Sequence, residues 1–167
     1  SRRRYLEPSL TYLRHTLAIS ECYVQLAELC RSRKNMSLQL VEWEPECWRP
    51  YNKHGKILQL KPDMFAITKC DNYEDRWFIE MDLSTESPAV ILDKCERYRD
   101  YYRSGLEQKQ YGVFPLTVWI VPDEARKKVI QSNIRNTYSA GAKIFAVITP
   151  NEFESLVTQE LGQTALC

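Results

Sequence analysis

Two short apolar runs, Leu116–Val121 and Ile144–Thr149, constrain the fold of this chain more than anything else in it. Neither alternates with polar residues, so each reads as a strand covered on both faces, which requires helices on both sides of a sheet. The residues between them supply one such helix. Pro122 opens it, Asp123 and Glu124 suit its positive end, and Gly141 lies just past its end. A second helix precedes the first run: Ser87 and Pro88 form an N-cap and N1 pair, and Ile91, Cys95, Tyr98 and Tyr102 mark one face to about Arg103.

The rest of the chain adds antiparallel pieces. Leu38–Glu44, Ile57–Lys61, Asp63–Lys69 and Arg76–Leu83 read as strands, with an irregular stretch around Pro45, Pro50 and Asn52 and a polar hairpin loop at residues 70–75. At the start, Leu6, Leu10, Leu13 and Leu17 recur at helical spacing. A further helix is expected to begin at Ser20 as N-cap, with Ile19 and Val24 as a hydrophobic staple, and to run to about Lys34. A short helix is expected after Asn151. The sum is an α/β domain with a mixed sheet. The 167 residues suffice for one domain, read as a basic helical segment over residues 1–34 and a core over residues 35–167, on which helix 20–34 packs.

Composition sets aside several classes. With 44% apolar and 27% charged residues and a net charge of +1, the chain is ordinary globular material, and its overall charge favours no polyanionic partner. No stretch approaches a membrane span, and there is no Gly-rich phosphate loop. Six scattered cysteines without a C-x-x-C pair argue against structural zinc and for reduced thiols in a cytoplasmic protein. The chain opens Ser-Arg-Arg-Arg without a Met, as a piece of a longer protein would.

Candidate chemistry concentrates in the hairpin. In Arg76–Leu83 the residues Trp77, Ile79, Met81 and Leu83 form a hydrophobic face, and Glu80 and Asp82 share the opposite one. A symmetric hairpin around residues 70–75 sets Asp63 against Asp82 and Phe65 against Glu80. Asp63, Glu80 and Asp82 would then converge and need a cation, with Mg²⁺ or Mn²⁺ suited to such hard oxygens. The alternative is an exposed sheet face whose carboxylates pair with nearby Lys and Arg.

These residues also carry a resemblance. Lys61-Pro62-Asp63 followed by Glu80-x-Asp82 resembles the Pro-Asp … Asp/Glu-x-Lys signature of restriction-endonuclease-like nucleases, whose α-β-β-β-α-β core matches the order read from Ser20 to Val121. The wider run is similar to the replication-relaxation family of plasmid and conjugative-element proteins. It comprises Pro62-Asp63, Phe78 through Glu86, Lys94, Tyr98 and Phe114-Pro115. Leu13 through Leu17 is similar to the stretch that follows a winged helix in that family, so a winged-helix domain upstream is an open expectation. The resemblance implies DNA processing in plasmid replication or transfer, with relaxase-like nicking in some members, and implies Asp63 and Glu80 as metal ligands. The chain departs from the nuclease pattern where Asp82 replaces the lysine. Lys94, on the following helix, is the candidate for a migrated ammonium, and degeneration of the site to a binding role is the alternative.

Other candidates follow from residue type. Tyr98, one turn after Lys94, is a possible covalent nucleophile, although tyrosines at helical spacing also simply pack. Trp48, with Arg49 and Lys53, is the expected base-stacking site, and Arg126, Lys127 and Lys128 the expected phosphate contacts. His15 is expected at a helix end and His54 in a flexible loop. Three functions compete: a metal-dependent DNA nickase, a DNA-binding or regulatory module on the same fold, and a protein-interaction domain. Oligomeric state is not legible.

Overall fold

The computed structural model describes residues 7–158. The first six residues of the expected basic segment, Leu6 included, and Cys167 lie outside them.

One helix, α1 (Leu10–Ser32), replaces the two expected. Ser9 caps it, its Oγ accepting the Tyr12 N–H at 3.1 Å. No Gly or Pro interrupts the helix, so nothing in the chain stops it at Ser20. The Ser20 hydroxyl instead donates to the Thr16 carbonyl at 2.9 Å, a bond available to a serine inside a helix. Strand β1 (Met36–Trp43) follows, then a hairpin of β2 (Arg49–Lys53) and β3 (Lys56–Leu60). That hairpin corrects two expectations. Residues 49–53 are a strand rather than irregular, and β3 pairs with them rather than with the main sheet. His54 and Gly55 form the tight turn, with φ of 52° and 76°, the backbone that two-residue hairpins favour.

Strands β4 (Met64–Cys70) and β5 (Tyr73–Met81) form the central hairpin. Its turn is Asp71 and Asn72, not a six-residue loop, because Cys70 already pairs with Tyr73. The shorter turn moves the register by two residues: Phe65 pairs with Phe78, and Met64 with Ile79. Then come α2 (Pro88–Ser104), capped by Ser87 as expected, and a short α3 (Leu106–Tyr111) between two left-handed glycines, Gly105 and Gly112. Strand β6 (Leu116–Ile120), helix α4 (Glu124–Tyr138) with Asp123 as N-cap, a 3₁₀ segment Ser139–Ile144, strand β7 (Phe145–Ile148) and α5 (Phe153–Thr158) complete the described chain.

The main sheet has the order β1-β4-β5-β6-β7. β4 is antiparallel to both neighbours, and β5, β6 and β7 are parallel. Both faces are covered. On one, Trp77 and Ile79 of β5 with Val118 and Ile120 of β6 pack against Cys22, Leu26 and Leu29 of α1 and Phe153 of α5. On the other, Phe65, Phe78, Trp119 and Phe145 pack against Ile91, Cys95 and Tyr98 of α2 and Ile130 and Ile134 of α4. The fully hydrophobic face expected for β5 is thus one of two buried faces. Met81 is only partly buried, and Leu83 lies beyond the strand end.

Phe78 lies at the centre of the second core, with ring centroids 5.4 Å from Phe65, 5.7 Å from Tyr98 and 5.8 Å from Phe114. Phe78→Ala is expected to lower stability by about 3–5 kcal/mol, measured as a fall in the denaturant midpoint at unchanged slope.

Candidate functional site

The parallel strands β5, β6 and β7 all end at one sheet edge, and antiparallel β4 begins there. Residues flanking these ends therefore gather without any loop reaching far. Asp63 directly precedes β4, Glu80 is the penultimate residue of β5, and Asp82 directly follows β5. All three are buried, at 8%, 2% and 3% exposure.

Asp63 continues the ladder. Its N–H donates to the Ile79 carbonyl at 3.2 Å, which sets it against Glu80 rather than against Asp82. Its Oδ2 accepts the Met81 N–H at 2.7 Å and lies 3.2 Å from Nε2 of His15. His15 is not at a helix end. It is in the first half of α1, on the side that bears Ala18, Ile19 and Cys22, and is partly buried. The hydrogen bond to Asp63 raises its pKa against the opposing effect of burial.

Glu80 points toward α2. Its Oε1 accepts the Tyr98 hydroxyl at 2.5 Å, and its Oε2 lies 4.0 Å from the Lys94 ammonium, which also pairs with Glu86 at 3.2 Å. Burial, followed by the charge of Asp63, holds the Glu80 carboxyl well above the usual carboxylate range. Burial pulls Lys94 down, but Glu80 and Glu86 outweigh it, so its pKa is raised and the ammonium stays charged. Lys94 thus reaches Glu80 and Glu86 from the helix. Tyr98 does not fit the nucleophile expectation. It is 1% exposed and its hydroxyl is spent on Glu80, so it faces the core rather than a DNA strand.

Asp82 belongs to a third arrangement. Arg126 of α4 grips it with Nε at 2.6 Å from Oδ2 and Nη2 at 3.1 Å from Oδ1, while the Ser84 N–H donates to Oδ1 at 2.9 Å. The same Nη2 donates to the Glu86 carbonyl at 2.7 Å. Among the described residues no group of three His, Cys, Asp or Glu side chains could hold a metal ion. The expected trio is therefore not assembled. The two-residue register shift and the Arg126 fork take Asp82 out of it, leaving Asp63 and Glu80 as neighbours.

The expected DNA contacts fare unevenly. Arg49 is turned inward, with Nη2 2.8 Å from Glu42, Nε 3.0 Å from Glu107, and its guanidinium over the Phe65 ring. Arg126 is held by Asp82, Lys127 pairs with Glu152, and Lys53 pairs with Asp100. Trp48 is half-buried beneath the Lys61 ammonium, 4.2 Å from its ring centroid. Lys128 alone of the six is fully on the surface. Buried thiols contribute no reactivity: burial pushes Cys22 and Cys47 up to about 12.

Sequence reasoning missed His15 and the structural role of Arg126. A signal for His15 existed: it shares the helical face of Ile19, Cys22 and Leu26, a second apolar stripe opposite the leucines. Arg126 offered none, because its partner is 44 residues away.

A family model described as replication-relaxation matches residues 1–117. The chain belongs to the replication-relaxation family. Membership suggests a role in plasmid replication or mobilisation. No curated protein and no solved structure matches it. Among the described residues no helix is long and apolar enough to cross a membrane.

Two outcomes follow for this family member. Arg126→Met strands a buried carboxylate and is expected to cost about 3–5 kcal/mol, most of it recovered when Asp82→Asn is added, as read by chemical denaturation. Glu80 has a folded pKa above its unfolded value, so the stability it contributes at low pH is lost as pH rises. Glu80→Gln is therefore expected to match the wild-type melting temperature near about pH 4 and exceed it increasingly toward neutrality. A constant difference across that range would contradict the assignment.

Proposed function

We propose that this protein processes DNA in plasmid replication or mobilisation by metal-dependent phosphodiester nicking on a restriction-endonuclease-like core. The sheet supports the fold reading: five strands lie in chain order once the β2–β3 hairpin is set aside, and β4 alone is antiparallel to the other four. The observation that carries the activity is Lys94. Its ammonium stands 4.0 Å from Glu80, beside the strand pair that holds Asp63, so a positive group serves the two-carboxylate edge although the motif position holds Asp82.

The residues fit a hard divalent cation in one specific way. Mg²⁺ keeps much of its water and is held by one or two carboxylates with substrate phosphates completing the shell. Asp63 and Glu80 are such a pair. Met81 and His15 engage Asp63 through Oδ2, and Tyr98 engages Glu80 through Oε1. Asp63 Oδ1 and Glu80 Oε2 are thereby the oxygens these hydrogen bonds leave unused. A dication there would offset the burial and the repulsion from Asp63 that raise the Glu80 pKa. Bound, it would polarise a phosphoryl oxygen and generate hydroxide at neutral pH. The chain's own part is positional. The Met81 N–H fixes the Asp63 carboxylate, Tyr98 fixes Glu80, and Lys94 presents a charge to a phosphate that enters beside them. Arg126 neutralises Asp82 and keeps it out of the reaction.

A second reading, a DNA-binding or regulatory module without catalysis, is favoured by the burial of Glu80 and by His15 standing against Asp63. Conversion of supercoiled plasmid to open circles with Mn²⁺ separates the two. Nicking is expected for the wild type, none for Asp63→Asn, and a loss of about 10²-fold or more for Lys94→Ala. A wild type that shifts DNA in gels, with salt-sensitive affinity, yet never nicks it would establish the second reading.

A further inference from the structure

Helix α1 carries two apolar faces, and the sheet uses one. Ile19, Cys22, Leu26, Leu29 and Cys30 are buried against it. Opposite them, Leu10, Leu13, Leu17 and Val24 are exposed at 74%, 41%, 62% and 48%. Their spacings of three, four and seven residues, with Ser20 completing the pattern, are the a and d positions of a heptad seam. A soluble helix normally turns polar residues to water on the side away from its core, so among the described residues this stripe is an uncovered apolar face.

The charges beside the stripe select the partner. Arg14, Glu21 and Glu28 recur every seven residues along one flank, while the other flank carries the uncharged Thr16 and Tyr23. In a parallel helix pair the charged flank of each helix meets the uncharged flank of the other. In an antiparallel pair the charged flank meets itself reversed, so Arg14 of each helix stands near Glu21 of the other, twice by symmetry. Arg14 and Glu21 are thus complementary to their own reverse, and Glu28 lies beyond the overlap.

We propose that a second copy of this chain docks on α1, forming an antiparallel two-helix seam of Leu10, Leu13, Leu17 and Val24 flanked by reciprocal Arg14–Glu21 pairs. The seam from Leu10 to Val24 is about 21 Å long. Packing on the sheet already holds α1 as a helix, so pairing does not bear the cost of ordering it. His15 lies on the sheet side of α1, and the dimer leaves the carboxylate edge of each copy as it is. The proposal is independent of the nicking reading.

Light scattering on the full chain, over about a hundredfold dilution, tests it. A dimer that dissociates on dilution is expected. Leu17→Glu is expected to weaken dimerisation by at least about tenfold with an unchanged far-ultraviolet spectrum. Val24→Lys serves as the second variant if Leu17→Glu does not fold. Arg14→Glu and Glu21→Arg are each expected to weaken the dimer, and the double variant to restore it. Three results would overturn the proposal: a monomer at every concentration, a dimer indifferent to both stripe variants, or a double charge variant no tighter than either single one. A monomer that instead pairs with a different protein through the stripe falls under the first.

Discussion

Three carboxylates buried at one end of one sheet cannot persist in a low-dielectric interior unless each is neutralised or protonated. Here each is met by a basic side chain from a different helix: Asp63 by His15 of α1, Glu80 by Lys94 of α2, and Asp82 by Arg126 of α4. The architecture follows from this requirement as much as from its apolar faces. Each helix packs through a hydrophobic stripe, and each also inserts one basic side chain at the same edge, so the position of the helix along the sheet is set by an ion pair as well as by shape. Sliding α4 by one turn would keep much of its apolar contact yet would leave Asp82 without its guanidinium.

The three pairs are not equivalent. Arg126 and Asp82 match donor for acceptor, with a forked geometry and a further backbone donor from Ser84. That pair is closed. Lys94 is shared between Glu80 and Glu86 and stands at the longer distance from Glu80, whose other oxygen is satisfied by a phenol. Burial raises the Glu80 pKa even beside the lysine, so this pair is less closed than that of Arg126 and Asp82.

Much of the fold was legible because its signals were local. The apolar runs at residues 116–121 and 144–149, the Ser87 and Asp123 caps and the helical spacing of Ile91, Cys95 and Tyr98 are short-range patterns, and the structure has the strands and helices they specify. Asp63 and Glu80 were legible through the resemblance, and their proximity through hairpin pairing. What was not legible depends on turn geometry and distance. Taking residues 70–75 as a loop instead of a turn at Asp71-Asn72 moved the register by two and placed Asp82 opposite Asp63. Reading Ser20 as a cap divided a helix that nothing interrupts. Basic residues assigned to DNA from their type, notably Arg49 and Arg126, are internal counterions because buried Glu107 and Asp82 demand them.

On the proposed nuclease-like reading, Asp82 stands where a lysine would be expected. A lysine at residue 82 would be fixed by β5 and would bring its charge along the strand. With Asp82 there, the local charge at the strand end changes sign, and that reading requires two compensations: one for the added carboxylate and one for the absent ammonium. Arg126 supplies the first, and Lys94 is the proposed source of the second, from helices that follow β6 and β5 on the same face of the sheet. Glu86 touches both: its carbonyl accepts Arg126 and its carboxylate pairs with Lys94. The segment between β5 and α2 therefore contacts both basic residues, through the Glu86 carbonyl and its carboxylate.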